Sequence, residues 1–148
     1  MTSPRRRSRE FALQGIYQWL FTGASAAQVL KNLSEMEAFD TADAAFLKKE
    51  LTGTIGDAEA LRALLEPLAD RKWDEVSPVE RSILLIGAWE LVHNPKIPYR
   101  VTINEAIELG KRFGGTDGHK YVNGVLDKLA RQARPEEVAK ERKPRNVP

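Results

Sequence analysis

The sequence predicts an all-α protein, a compact bundle of about six or seven helices. Apolar residues recur three and four positions apart through most of the chain, which is the period of an amphipathic helix. Residues that cap or stop helices stand between those segments, and no stretch alternates apolar and polar residues as a strand does. A chain of 148 residues is also long enough to bury one sizeable core.

Four helices are predicted in the first half of the chain. The first covers residues 8–22 and ends at Gly23, whose lack of a Cβ suits a helix stop. Ser25 caps the second helix. The third runs from Thr41 to the break before Asp57, which is expected to cap the fourth.

The fifth helix has the clearest start. In residues 77–80, Ser at the N-cap, Pro at the first helical position and Glu at the third form a capping box with its preferred proline. Residues 83–92 are apolar on nearly every face, so we expect this helix to be central and the most buried. Asn94 and Pro95 stop it.

Two more helices follow. Pro98 precedes the sixth, with Val101 among its inward residues, and Gly114–Gly115 are expected to end it as a C′ pair. Asp117 is expected to cap the seventh, whose inner face includes Tyr121 or Val122. Past Pro135 the chain is charged and contains prolines. We therefore expect a helical domain over residues 1–134 and a basic, disordered tail over 135–148.

The charge is unevenly distributed. The net charge is +2, but residues 1–10 and residues 131–148 each carry +3, which leaves −4 on residues 11–130. Arginines clustered at an end favour a polyanionic partner such as nucleic acid. Charge alone leaves open the alternative of a solvated, solubilising tail.

The N-terminal segment superficially resembles a secretory signal, because a basic start is followed by the largely apolar residues 11–21. Glu10, Gln14 and Gln18 interrupt that run on one helical face, whereas a signal core is apolar all round. No stretch approaches the roughly 18 apolar residues of a membrane span. We therefore expect a cytoplasmic protein without membrane contact.

No catalytic group stands out. The chain has no cysteine and two histidines, His93 and His119, and it contains no phosphate-binding loop, glycine fingerprint or metal-ligand spacing. Asp117 and His119 form the only acid–histidine pair close in sequence, and side chains two residues apart at a helix start diverge. We expect a protein that is not an enzyme and has no cofactor or metal.

The loop before the seventh helix has features of an RNA-binding surface. Phe113 and Tyr121 flank a glycine turn that opens onto a helix N-terminus, where unpaired N–H groups favour phosphate. Lys120 adds charge, aromatic faces stack unpaired bases, and Asn123 has the amide needed to bond a base edge or ribose. The alternative is that both aromatic rings belong to the core.

Longer segments carry a family resemblance. They are Arg5-Arg6-Arg7-Ser8-Arg9-Glu10, Val79-Glu80-Arg81-Ser82-Ile83-Leu84, Ile97-Pro98-Tyr99, Ile103-Asn104-Glu105-Ala106-Ile107-Glu108-Leu109, His119-Lys120 and Val122-Asn123-Gly124-Val125-Leu126-Asp127. Together they resemble the NusB antitermination family over roughly residues 5–130. Within residues 24–75 the chain matches the family by pattern only.

The resemblance implies two packed helical subdomains and a complex with NusE, a small-subunit ribosomal protein. It further implies that the pair binds single-stranded boxA RNA in nascent ribosomal RNA transcripts and joins the RNA polymerase antitermination complex. The implied RNA-facing residues are Arg5, Arg6, Arg7, Phe113, Lys120, Tyr121 and Asn123. Tyr17 and Glu80 are implied to face the protein partner.

Two other functions are alternatives to this interpretation. A protein-only scaffold or homodimer would need no RNA, and salt-dependent RNA binding distinguishes it from the first interpretation. NusB-like domains also precede RNA methyltransferase domains, but no cofactor-binding βαβ unit follows here. The oligomeric state of the free protein stays open.

Overall fold

The computed structural model describes residues 2–142 and confirms the all-α prediction, since those residues contain eight α-helices and no strand. The helices are α1 (Pro4–Thr22), α2 (Ala26–Ser34), α3 (Ala44–Gly56), α4 (Ala58–Leu65), α5 (Pro78–His93), α6 (Tyr99–Phe113), α7 (Gly118–Ala133) and α8 (Pro135–Arg142). Three short 3₁₀ turns lie at Phe39–Thr41, Glu66–Leu68 and Trp73–Glu75. None of the described helices is long and apolar enough to cross a bilayer.

Helix α5 is the centre of the fold, as its sequence predicts. Every residue from 82 to 91 is buried, and the helix packs against α1, α3, α4, α6 and α7. Helices α1, α2 and α3 pack together on one side of it, and α6 and α7 pack together on another. This arrangement agrees with the two packed groups of helices that the family resemblance implied.

The first helix begins at Pro4 instead of residue 8. Ser3 is its N-cap, and the Ser3 hydroxyl oxygen accepts a hydrogen bond from the backbone N–H of Arg6 at 3.2 Å. Ser3-Pro4 thus repeats the Ser-Pro start of α5, where the Ser77 hydroxyl oxygen accepts from the N–H of Glu80. The N-terminal arginines therefore lie on a helix, and their side chains project in fixed directions.

Several predicted cap and turn details differ in the structure. Asp57 and Asp117 occupy N-cap positions, but neither side chain bonds the helix it precedes. Asp57 contacts His93 Nε2 at 2.6 Å instead. Gly114 has a φ of −85°, so α6 ends in extended backbone and not in a left-handed C′ turn. A Cβ at Gly114 would lie 2.7 Å from the Gly110 carbonyl oxygen, which explains the glycine by close approach.

The structure also shows which of the residues predicted to face the core on α6 and α7 are buried. Val101 was expected to face the core but is 42% exposed, while the next two residues, Thr102 and Ile103, are buried. Of the two candidates on α7, Val122 is fully buried and Tyr121 is half-buried. The prediction is therefore confirmed for Ile103 and wrong for Val101, whose place on the buried face is taken by Thr102.

The expected disorder beyond residue 134 does not describe residues 135–142, because they form α8. Val138 is buried, and the Glu137 carboxylate accepts a hydrogen bond from the backbone N–H of Tyr99 at 2.8 Å. Arg134, just before α8, is 7% exposed and donates to the backbone carbonyls of Glu90, Leu91, Asn94 and Ile97. The contacts that order α8 are thus made to the α5–α6 turn. Residues 143–148 of the predicted tail lie outside the described residues.

Candidate nucleic-acid interface

The three predicted RNA-facing arginines of α1 point to different neighbours. The guanidinium of Arg5 lies over the ring of Phe46 on α3, 4.7 Å from the ring centroid. Arg6 donates two hydrogen bonds to Glu105 on α6, from Nε at 3.2 Å and from Nη2 at 2.7 Å. Arg6 is therefore the most firmly paired of the three, and its pKa is raised by these contacts with Glu105.

Arg7 shares a carboxylate with an arginine that the sequence analysis did not single out. Arg7 Nη1 lies 3.1 Å from Glu10 Oε1, and Arg112 Nη1 lies 2.6 Å from Glu10 Oε2. These three residues and Phe113 contribute to the walls of a cleft of about 190 Å³ between α1 and the end of α6. Glu37 also lines the cleft, so two guanidinium groups and two carboxylates border it together with the exposed Phe113 ring.

Phe113 also borders a second cleft, which has no arginine in its lining. This cleft has a volume of about 260 Å³ and is lined by Leu13, Gln14, Tyr17, Val79 and Phe113. Tyr17 and Phe113 are 41% and 37% exposed. The structure thus brings the predicted RNA-facing Phe113 beside the predicted partner-facing Tyr17.

Tyr121 lies at the start of α7, on the surface but not free of contacts. The guanidinium of Arg71 lies over its ring at 4.1 Å from the centroid. The Tyr121 hydroxyl is buried and has no hydrogen-bond partner among the described residues, and burial raises its pKa. A base that stacks on Tyr121 would have to displace Arg71 or stack on the other face of that guanidinium.

The remaining predicted RNA-facing residues, Lys120 and Asn123, are exposed on α7. Lys120 Nζ lies 3.4 Å from Asp117 Oδ1 in a solvent-exposed pair, and such pairs contribute little to stability. Both side chains are therefore free to reorganise around a ligand.

Glu80 is placed differently from Tyr17. It is 9% exposed, and its Oε2 accepts a hydrogen bond from the Ser77 hydroxyl at 3.0 Å. Its Oε1 faces the first residue of α7, since a Cβ added to Gly118 would lie 2.9 Å away. The Glu80 carboxylate is thus packed between the starts of α5 and α7, where it cannot make a broad contact with a partner.

A buried charged cluster lies behind the arginines. Arg9 donates to the Glu90 carboxylate from Nε at 2.9 Å and from Nη2 at 3.0 Å, and the Thr102 hydroxyl donates to Glu90 at 2.9 Å. Burial raises the pKa of Glu50 well above its usual value, assisted by its bond to Glu90. Burial also raises the pKa of Glu90, but its bonds to Glu50 and Arg9 outweigh that effect and lower it.

These opposite directions favour Glu50 as the member of the pair that takes up a proton first. Neither Glu50 oxygen accepts a hydrogen bond, and Arg9 Nε lies 4.0 Å from Oε1, whereas a protonated Glu50 would be able to donate to Glu90. Arg9, enclosed by this cluster, is 5% exposed. It is therefore not available to a ligand.

Asp117 and His119, near the start of α7, have different neighbours. Asp117 pairs with Lys120, and the backbone of His119 packs on Gly110, where a Cβ would lie 2.8 Å from His119 Cα. Gly110, a helix-weakening residue within α6, thus permits the close approach of α6 and α7. Among residues 2–142, no group of three His, Cys, Asp or Glu residues is arranged to hold a metal ion.

Comparison with known proteins shows which family this chain resembles along its length. The model of the NusB family matches residues 6–131. A transcription antitermination protein NusB from Thiobacillus denitrificans is 52% identical over 138 residues, which cover 93% of this chain and 95% of that protein. A solved structure of T. maritima NusB superposes with a TM-score of 0.81 at 28% identity, covering 94% of this chain and 99% of that one.

A second solved structure contains the antitermination factors NusB and NusE in complex with dsRNA. It matches with a TM-score of 0.75 at 21% identity, covering 86% of this chain and 96% of that one, and at this identity it supports the fold alone. The family model spans most of the chain, and the relative from Thiobacillus denitrificans is similar along nearly its whole length. The chain belongs to the NusB family.

Proposed function

We propose that this protein is a transcription antitermination factor that binds NusE, and that the pair binds single-stranded boxA RNA in nascent ribosomal RNA transcripts. The observation that carries the proposal is the cleft of Arg7, Arg112 and Phe113, which places two guanidinium groups beside an exposed aromatic ring. Family membership and the relatives' shared name support the same function. In this role the complex joins RNA polymerase, which places the protein in the cytoplasm.

The RNA-facing residues divide by the kind of contact they offer. Arg5, Arg6, Arg7 and Lys120 would bind phosphates, which gives affinity without sequence information. Phe113 and Tyr121 would stack on bases, and Asn123 would bond a base edge. Because Arg6 is held by two bonds to Glu105, we expect it to contribute less to RNA affinity than Arg5 or Arg7.

The partner-facing surface centres on Tyr17. Its ring packs against that of Phe21 at 5.0 Å, and Phe21 is 65% exposed. Exposed neighbouring aromatic rings are typical of protein interfaces. We propose that Tyr17 contacts NusE directly and that Glu80 acts indirectly, by holding the start of α7 against α5.

The same apolar surface also favours the second candidate function, a protein-only scaffold or homodimer without RNA binding. Tyr17, Phe21 and Phe113 would then be covered by a protein alone. The two functions differ in one measurable property, because only the first requires the affinity for RNA to fall steeply with salt.

The decisive experiment is a salt titration of RNA binding by the complex with NusE, using boxA RNA and a scrambled strand. Tyr121→Ala should weaken boxA binding by about 5-fold to 150-fold, since stacking is worth roughly 1–3 kcal/mol per base, while the salt slope stays unchanged. Tyr121→Phe keeps the ring and is the matched control. Asn123→Ala should narrow the difference between the two RNAs.

Three results would contradict these assignments. Full affinity of Tyr121→Ala would mean that its ring serves only the core and Arg71. Absence of salt-dependent binding by the wild-type complex would favour the protein-only function. Unchanged co-purification of NusE with Tyr17→Ala, measured beside Tyr17→Phe, would remove Tyr17 from the interface.

A further inference from the structure

Arg112 connects two helices at the surface. It is the second-last residue of α6, and its side chain reaches back to α1, where Nη1 lies 2.6 Å from Glu10 Oε2. The Glu10 side chain is 9% exposed and that of Arg112 is 57% exposed. A nearly buried carboxylate thus holds one end of a guanidinium whose remainder faces solvent.

The position of Arg112 is shared by two neighbouring clefts. One, of about 110 Å³, is bordered by Arg6 and Glu105, and the other, of about 190 Å³, by Arg7 and Phe113. Arg112 and Glu10 line both. Arg112 therefore stands between the arginines of α1 and the aromatic ring at the end of α6.

Arg6 and Arg9 make more hydrogen bonds to carboxylates than Arg112 does. Arg6 places two nitrogens on Glu105, and Arg9 places two on the buried Glu90. Arg112 places one nitrogen on Glu10, and a guanidinium has five N–H donors. Its Cζ also lies over the Phe113 ring, 5.3 Å from the centroid, so the charge is presented on one face of the ring and a base would stack on the other.

We infer that Arg112 is a phosphate-binding residue that joins the arginines of α1 to Phe113 in one continuous RNA path. The inference rests on the proposed RNA-binding function and adds to it a residue outside the motifs of the family resemblance. A base stacked on Phe113 brings its own phosphate close to the ring, where the exposed N–H groups of Arg112 are positioned to donate. Glu10 keeps the guanidinium in that place.

The competing explanation is structural: Arg112 would only tie α6 to α1 through Glu10. Arg112→Gln separates the two, because glutamine has an amide that can donate to Glu10 but carries no charge. Arg100→Ala is the matched control, since Arg100 is an exposed arginine on the same helix and pairs with Glu141 at the opposite end. Thermal unfolding of each variant checks that the fold is retained.

The test measures binding of single-stranded RNA by each variant in complex with NusE over a range of salt concentrations. Arg112→Gln and Arg112→Ala should both reduce the slope of log affinity against log salt by about 0.7, one phosphate contact on a single strand. The ratio of boxA to scrambled affinity should stay the same, and Arg100→Ala should keep the wild-type slope. If wild type binds with a salt slope that Arg112→Gln retains in full, the inference is overturned while the RNA-binding function stands. If wild type itself shows no salt-dependent binding, the proposed function fails first.

Discussion

Arg134 provides the sharpest test of how the C-terminal helix is held. Its guanidinium lies at the C-terminal end of α5, where four backbone carbonyls of a helix have no partner within the helix. It donates to the Glu90 carbonyl at 2.8 Å, to the Leu91 and Asn94 carbonyls at 2.9 Å, and to the Ile97 carbonyl. The Glu90 and Asn94 carbonyls also accept hydrogen bonds from the backbone N–H groups of Asn94 and Ile97, so Arg134 adds to the backbone bonds of this turn. Its positive charge also meets the negative end of the α5 dipole.

Replacing Arg134 with alanine should cost about 3–5 kcal/mol of unfolding free energy. Hydrogen bonds to charged groups are worth roughly 1.5–3 kcal/mol each, but water entering the space left by the side chain would satisfy some of the carbonyls. The range is also that observed when one partner of a buried charged network is removed. In a protein of this size, this loss corresponds to a fall in melting temperature of roughly 6–20 °C.

Urea unfolding followed by circular dichroism measures the effect, with Arg131→Ala as the control. Arg131 is on α7, is exposed and pairs with Asp127 at (i, i+4), so its removal should cost less than about 1 kcal/mol. Arg134→Lys should be intermediate, because one ammonium cannot span four carbonyls. A change within 1 kcal/mol for Arg134→Ala would refute the argument that this side chain orders the α5–α6 turn.

Two further predictions concern the interior. Glu50→Gln should flatten the pH dependence of stability. Because the pKa of Glu50 is raised in the folded protein, its stabilising contribution is fully present below the unfolded-state pKa of about 4.3 and is lost as pH rises through the folded-state pKa. The loss amounts to at most about 1.4 kcal/mol of unfolding free energy per pH unit. Parallel curves of unfolding free energy for both proteins between pH 5 and 8 would show that Glu50 is ionised in the folded state. Gly53→Ala should destabilise the protein by about 1–3 kcal/mol, because the new Cβ would lie 2.3 Å from the Trp89 indole. Gly56→Ala on the same helix should be neutral or stabilise the protein by about 0.4–1 kcal/mol, because no atom lies within 4 Å of the new Cβ. Thermal unfolding compares the two, and equal behaviour would contradict the close packing of Trp89 on α3.

Local signals predicted those parts of the fold that local chemistry determines. The caps at Ser25 and Ser77 and the left-handed stop at Gly23 depend on neighbouring residues, and all three are present as predicted. Ser3-Pro4 contains the same start signal as Ser77-Pro78. The four arginines within the next five residues were interpreted only as a cluster of charge, so the predicted helix began too late, although arginine is a good helix former.

Helix α8 shows what local sequence cannot reveal. Its eight residues include one buried apolar side chain, Val138, so no amphipathic period indicates a helix. Its order comes from Arg134 and Glu137, whose partners lie about 40 positions earlier in the chain. A charged segment that is stabilised by tertiary hydrogen bonds has the same composition as one that is solvated.

The candidate interface, like the fold, was predictable only where neighbouring residues in the sequence carry the signal. The loop around Phe113 combined aromatic, basic and glycine residues within one short segment, and it could be recognised on that basis. Arg112 belongs to that segment, but its contact with the Glu10 carboxylate could not be predicted, and neither could the place of Arg71 over the Tyr121 ring, because both partners are distant in sequence. An isolated arginine on a helix surface carries no sign of the residue that it will face.

The first turn of α5 contacts both the cleft that contains Tyr17 and the start of α7. Val79 lines the cleft that Tyr17 shares with Phe113, while the neighbouring Glu80 packs against Gly118 at the start of α7. Two adjacent residues of one capped turn thus support the candidate partner-facing cleft and the helix that carries Lys120, Tyr121 and Asn123. Because a capped helix start is rigid, the spacing between these two regions is fixed before any ligand arrives. A substitution that loosens this turn, such as Ser77→Ala, should therefore disturb both regions at once, although neither Tyr17 nor Tyr121 is changed.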